Sequence, residues 1–176
     1  AIAHQTMVTI GVRPTHPHPG LGYLCAGSPL HGAGSVRIFR LARFIEKPSR
    51  PMARTLLKRP RTFWNSGMFI ATADTFLASI TEWLPEHTRQ LVPLAASSTR
   101  TFARYLRRAY EALRGVSFDH GVMDRLQTGL VIEGRFSWAD LGSWDTWARL
   151  GHGSSRMIAV DSQNVQVVGH DGHLVA

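Results

Sequence analysis

The run Phe63-Trp-Asn-Ser-Gly-Met-Phe-Ile70 constrains the fold more than any other stretch of the chain. Its aromatic and aliphatic content is that of a buried strand. Regular alternation puts Asn65, Gly67 and Phe69 on one face and Trp64, Ser66, Met68 and Ile70 on the other. An asparagine amide inside an apolar strand needs a partner, because burying it unpaired costs free energy. Either another protein group satisfies Asn65, or the amide reads the hydroxyls of a ligand admitted by the space that Gly67 leaves.

Around this strand the pattern switches repeatedly between strand and helix periodicity. Thr6–Val12 and Leu130–Glu133 read as strands, Gly22–Ala26 as a short strand entered through a glycine, and Val36–Ile45 as a strand whose alternation of aliphatic residues and arginine is imperfect. Helical spacing covers Ser49–Lys58, with Ser49 as cap and Met52 and Leu56 inward, and Asp74–Trp83, with Asp74 as cap and Phe76, Leu77 and Ile80 inward. A weaker helix is predicted over Glu86–Ala96. The clearest is Thr99–Arg114, where Phe102, Tyr105, Leu106, Ala109 and Leu113 share one face and Arg100, Arg104, Arg107 and Arg108 the other. Ser117 or Asp119 caps a short helix after it. The loop Arg13–Gly20 contains three prolines and a glycine, which exclude helix and leave His16 and His18 as solvated loop residues.

A net charge of +8 points first to nucleic acid. Lys47 and Lys58 are the only lysines, however, and the arginines are scattered, with no basic run carrying interleaved aromatics. An anionic small substrate accounts for the charge equally well. One cysteine, Cys25, excludes an internal disulfide and a cysteine-built zinc cage. No apolar run approaches a membrane span of ~20 residues, so the expectation is a cytoplasmic protein.

Three further places carry chemistry. Glu46-Lys47-Pro48 sets an acid and a base where a strand ends, with Pro48 breaking the regularity that would send the two side chains to opposite faces. There they either hold a sugar hydroxyl and a phosphate, or form an exposed ion pair worth ~0–1 kcal/mol. Gly22 either lets a ligand approach the backbone or is a simple bend. In Ser137–Trp147, Ser143 caps a predicted helix from Trp144 to Leu150 with Asp145 in its first turn, whereas Asp140 lies ahead of it beside Gly142. Asp140 is then either a turn-capping aspartate or a ligand for a hard cation such as Mg2+. Asp119 and His120 are adjacent on a helix and cannot face each other as an acid/base dyad, which leaves Asp119 as cap or site wall.

The order of these motifs is more specific than any one of them. Gly22-Tyr23, Phe44-Ile-Glu-Lys-Pro48, Trp64-Asn-Ser-Gly-Met-Phe69, Ser117-Phe-Asp-His-Gly-Val-Met123 and Trp138-Ala-Asp-Leu-Gly-Ser-Trp144 together resemble the sugar-phosphate nucleotidyltransferases. Within them the likeness is to the mannose-1-phosphate guanylyltransferases, and it covers about residues 6 to 150. The resemblance implies an α/β nucleotidyltransferase (Rossmann-like) fold, a mixed sheet flanked by helices. It also implies transfer of a nucleotidyl group from GTP to mannose 1-phosphate, giving GDP-mannose and pyrophosphate. Carried over motif by motif, Gly22, Glu46 and Asn65 contact the hexose, Lys47 its phosphate, and Asp140 a catalytic Mg2+.

Two departures from the family shape the expectation. Its opening glycine-rich nucleotide loop and first metal-binding aspartate have no counterpart in these residues. Before Gly22, His18, Pro19 and Leu21 stand in place of acidic, hydroxyl and aromatic residues. The chain therefore reads as the sugar-phosphate half of the catalytic domain over 1–150, followed by the start of a β-rich segment over 151–176, and inactive alone. A non-catalytic sugar-phosphate-binding or regulatory remnant is the main alternative, and a basic nucleic-acid-binding protein the lesser one.

Overall fold

The computed structural model describes residues 6–30, 35–96, 98–126, 128–142 and 146. They fall into two compact units, Ala1–Phe136 and Ser137–Ala176, and each is described by itself. In the first unit the strands are β1 (Met7–Val12), β2 (Tyr23–Leu30), β3 (Ile38–Ile45), β4 (Thr62–Ile70) and β5 (Gly129–Gly134). The helices are α1 (Arg50–Leu57), α2 (Ala73–Trp83), α3 (Pro85–Leu91), α4 (Thr99–Ala112) and the single turn α5 (Phe118–Gly121), with 3-10 turns at Val92–Ala96 and Met123–Arg125.

The sheet is mixed. Strand β1 runs parallel to β5 and antiparallel to β4, and β2 runs antiparallel to both β4 and β3. Residues Ile38–Arg40 of β3 also pair with β5, which closes the strands into a ring in the order β1-β4-β2-β3-β5. The α/β expectation is met, and the closure is an addition to it. Its local cause is visible in β3, where the buried residues are Phe39, Leu41 and then Phe44. The two-residue period slips once because Arg43 and Leu41 pair with successive β2 residues, leaving Ala42 as a bulge. Bulges bend and twist a strand. The imperfect alternation in the sequence was this bulge.

Met7, Leu24, Phe39, Leu41, Phe44, Phe63, Met123 and Val131 form the core. At its edge the rings of Phe69, Phe76 and Phe118 stack at centroid distances of 5.3 and 5.5 Å, each centred on Phe118. Aromatic contacts of this kind contribute ~0.5–1.5 kcal/mol each beyond their buried area. They tie α2 and α5 to β4, and so fix the residue after Phe118, Asp119, against the strand that carries Asn65.

Several local expectations are corrected. Strand β2 runs on to Leu30 through Gly27 and Pro29, which mimicked a strand end. Beyond Cys25 the Ala26 N–H bonds the Arg61 carbonyl, at 2.8 Å, and Gly27 and Ser28 together oppose Arg40 of β3. Thr72, not Asp74, caps α2: its hydroxyl accepts from the Thr75 N–H at 3.2 Å, and Asp74 stands in the first turn. In α1 the inward residues are Ala53 and Leu56, while Met52 is exposed; Ser49 is the cap as expected. Leu77 of α2 and Phe102 and Tyr105 of α4 are also exposed. His16 is exposed in its loop, as expected, and its ring and that of the half-buried His18 stand edge-on to each other and to Trp64, with His16 4.9 Å from the indole. The predicted helix over 144–150 and the strands beyond 156 lie outside the described residues, Thr146 excepted.

Candidate functional site

Asn65 is the structural centre of the site. Beside it β4 departs from regular alternation: Thr9 pairs with Phe69 but Gly11 pairs with Asn65, so Ser66, Gly67 and Met68 oppose a single residue, Ile10. Gly67 makes this bulge possible with φ of +75°, a left-handed conformation that glycine adopts without strain. The bulge turns the Gly67 N–H back to Asn65 Oδ1 at 3.2 Å. The same oxygen accepts from the Thr9 hydroxyl at 3.2 Å, and Asn65 Nδ2 donates to Asp119 Oδ1 at 3.0 Å. With two donors on its oxygen the amide has only one orientation, so one N–H of Nδ2 is left for another acceptor. Among the described residues, protein groups thus satisfy all of the amide except one Nδ2 N–H.

Gly22 lies directly beside this amide. Its carbonyl accepts from the Asn65 backbone N–H at 2.8 Å. A Cβ at position 22 would come within 2.6 Å of Glu46 Oε2, 3.1 Å of Phe44 Cζ and 3.3 Å of Asn65 Cβ. Glycine is therefore required for close approach, and the three residues Gly22, Glu46 and Asn65 converge.

Lys47 explains how adjacent residues can serve one place. Strand β3 ends at Ile45, and Lys47 adopts φ of +41°, so the break in regularity is made by Lys47 itself rather than by Pro48. The turn brings Lys47 Nζ to within 2.6 Å of Glu46 Oε1. The pair is asymmetric: the Glu46 side chain is 7% exposed and that of Lys47 60%. An exposed ion pair would hold neither group firmly. Here the carboxylate is fixed in the wall, and its Oε2 faces the space that Gly22 leaves open.

Asp119 completes the wall from α5. Its carboxyl is raised above the ordinary carboxylate value, first by burial and next by the negative charge of Glu46, against the lowering effects of hydrogen bonds and of Lys47. Ser117, not Asp119, caps the helix, its hydroxyl accepting from the His120 N–H at 3.3 Å. His120 turns away to Asp124 at 3.1 Å, so Asp119 and His120 form no dyad. The loop before Gly22 is closed by its own unusual residues. His18 Nδ1 accepts from the Gly20 N–H at 3.1 Å, and the His18 N–H donates to the buried Tyr23 hydroxyl at 2.9 Å. An imidazole nitrogen thereby does the turn-closing work that a short acid would do.

Asp140 belongs to the second unit and is exposed. Its Oδ2 lies 2.9 Å from where a Cβ on residue 142 would be, so Gly142 keeps the carboxylate uncovered. Among the described residues no three His, Cys, Asp or Glu side chains gather into a metal cage. A lone exposed carboxylate can hold a hard cation such as Mg2+ only together with oxygens from a substrate or water.

The chain matches the family model described as Nucleotidyl transferase over residues 1–152. It belongs to the nucleotidyl transferase family. A mannose-1-phosphate guanylyltransferase of Sinorhizobium fredii is 30% identical to it over 99% of this chain and 35% of its own length. That of Escherichia coli K12 is 30% identical over 80% of this chain and 30% of its own. The chain thus spans about a third of the length of these curated relatives. A crystal structure from Thermus thermophilus, named mannose-1-phosphate geranyltransferase, superposes with a TM-score of 0.71 at 32% identity, over 83% of this chain and 40% of that one. A Helicobacter pylori structure named mannose-6-phosphate isomerase shares the fold, with a TM-score of 0.61 at 23% identity, over 78% of this chain and 53% of that one.

The role of Thr9 is not evident from the sequence motifs, and Asp119 is evident there only as a cap or wall residue. Thr9 had a signal, being the one hydroxyl in the apolar strand Met7–Val12, and it is 1% exposed. Asp119 gave no local sign of its link to Asn65, because the two are 54 residues apart and the aromatic contacts of Phe118 bring them together. Among the described residues no helix is long and apolar enough to cross a membrane.

Proposed function

We propose that the chain supplies the sugar-phosphate-binding part of a mannose-1-phosphate guanylyltransferase, which joins mannose 1-phosphate to the guanylyl group of GTP and releases pyrophosphate. The observation that carries this reading is the convergence of Gly22, Glu46 and Asn65 on one wall, with the Lys47 ammonium held beside it. Such a wall offers a hexose an acceptor, a donor and an open approach, and offers its phosphate a cation. In the reaction a phosphate oxygen of the sugar attacks the α-phosphorus of the triphosphate in line. The bond from that phosphorus to the bridging oxygen breaks, and pyrophosphate leaves with the electron pair. No side-chain nucleophile takes part, so the protein's work is to position both phosphates and offset their charge. Glu46 and Asn65 hold the ring, Lys47 neutralises the attacking phosphate, and Asp140 would hold Mg2+. When bound there, such an ion would supply charge neutralisation at the phosphate oxygens.

The test is pyrophosphate release from GTP and mannose 1-phosphate with Mg2+, measured on the full gene product that contains these residues. Release that falls at least a hundredfold in Asp140→Ala, and that requires Lys47, supports the assignment. No release from the intact protein, or release unchanged by Asp140→Ala, contradicts it.

A further inference from the structure

Glu133 gathers two arginines at one end of the strand ring. It stands on β5 between β1 and β3, pairs in register with Gly11, and its backbone N–H donates to the Arg37 carbonyl at 3.0 Å. Arg13 follows the last residue of β1 and Arg37 precedes the first of β3, so the two reach Glu133 from its neighbouring strands. The Glu133 side chain is 6% exposed, whereas those of Arg13 and Arg37 are 74% and 58% exposed. One buried anion thus anchors two cations that face solvent.

The anchoring leaves both donors and charge over. Oε1 accepts from Arg13 Nη2 at 2.9 Å, while Oε2 is buried without a hydrogen bond and Arg37 Nη1 stands 3.5 Å from it. A guanidinium carries five N–H donors in a planar fork. Among the described residues the Arg13 fork makes a single hydrogen bond and the Arg37 fork none. Two guanidinium groups meet one carboxylate, and no other acid among the described residues forms an ion pair with either. Buried ion-pair sets contribute little net stability, so stability does not account for holding a second, mutually repelling cation there. Like charges kept together at an open surface suit the arrival of the opposite charge.

We propose that Arg13 and Arg37 form an oxyanion site for a phosphate group, with Glu133 as its positioning residue. A phosphate offers oxygens to both forks at once and balances the charge that Glu133 leaves over. Because the carboxylate is covered and the guanidinium groups are not, an arriving anion meets donors first. The site lies at the carboxyl ends of the parallel strands β1 and β5, the end at which α/β sheets take their ligands. It shares no residue with the Gly22–Glu46–Asn65 wall and does not depend on the sugar reading. Inorganic phosphate, pyrophosphate and a sugar phosphate all present this chemistry.

The test is nitrogen-15 NMR of the arginine Nε–H groups of the chain, titrated with inorganic phosphate, pyrophosphate or mannose 1-phosphate at an ionic strength held constant with sodium chloride. Saturable shifts of the Arg13 and Arg37 signals are expected, and the tightest of the three ligands names the source: mannose 1-phosphate alone marks a sugar-borne phosphate, either of the others a free one. Arg13→Lys and Arg37→Lys keep the net charge and an ion pair to Glu133 but lose the fork, so each should keep the wild-type melting temperature and bind that ligand about fivefold or more weakly. Arg100→Gln removes an exposed charge from α4 and should leave the affinity unchanged. An equal loss in Arg100→Gln, or equal shifts with chloride alone, shows diffuse attraction and overturns the proposal. Lysine variants that bind as tightly as wild type overturn it too, as does the absence of binding by all three ligands. If a lysine variant misfolds, the wild type decides: binding that leaves the Arg13 and Arg37 Nε–H signals unmoved refutes the site.

Discussion

Replacing Asn65 by alanine removes one amide but strips three groups of their partner: the Thr9 hydroxyl, the Gly67 N–H and the Asp119 carboxylate. Their fates differ. Gly67 is exposed and Asp119 half-buried, so water replaces much of what they lose, whereas Thr9 is 1% exposed and is left stranded. An unpaired buried hydroxyl costs about 1–3 kcal/mol and the two recoverable bonds a few tenths to ~1 kcal/mol each. The expected destabilisation is therefore about 2–4 kcal/mol. Thr9→Val alone costs about 1 kcal/mol, because Asn65 Oδ1 keeps Gly67. In the double variant no hydroxyl is stranded, so the two effects should fall short of additivity by about 1–2 kcal/mol. Urea unfolding of the four proteins at pH 7, followed by circular dichroism, measures this cycle. Additivity within ~0.5 kcal/mol would refute the claim that Asn65 is organised from β1.

Other consequences can be checked with simpler comparisons. Gly22→Ala drives a methyl against Glu46 Oε2, the buried Phe44 ring and Asn65 Cβ, so mannose 1-phosphate affinity, read by calorimetry, should fall at least tenfold. The raised carboxyl of Asp119 means that the folded chain binds this proton more tightly than the unfolded one. Its contribution to stability is therefore fully present below the ordinary carboxylate value and lost as pH rises through the raised value. Asp119→Asn should accordingly gain stability relative to wild type as pH is raised from 3 to 7; a constant difference would contradict the direction of the shift. Glu133 is buried between the exposed arginines Arg13 and Arg37, at 2.9 and 3.5 Å, and its Oε2 lacks a hydrogen bond. Glu133→Gln trades a desolvated charge for a neutral amide, so its unfolding free energy should stay within about 1 kcal/mol of wild type.

The sequence was legible where one local cause acts. Ser49 and Ser117 cap helices because a hydroxyl ahead of a helical run has few other uses. The strands of the ring are legible from their apolar content, and the motifs that contain Gly22, Glu46 and Asn65 hold residues the fold brings together. What could not be read depended on distant pairing. The bulges at Ala42 and at Gly67 arise from register with partner strands, which periodicity within one strand does not encode. The left-handed turn at Lys47 was masked by Pro48, a stronger local signal that stands next to the residue responsible. The Thr9–Asn65–Asp119 chain joins β1, β4 and α5, and each member alone carries a bland explanation.

The most direct measurement is a nitrogen-15 NMR titration of the chain with mannose 1-phosphate, with mannose and inorganic phosphate as controls. The account predicts saturable shifts of the Asn65 side-chain NH2 and of the Gly22, Lys47 and Gly67 amides with the sugar phosphate, and much weaker ones with either control. Saturable binding that leaves those signals unmoved would contradict it.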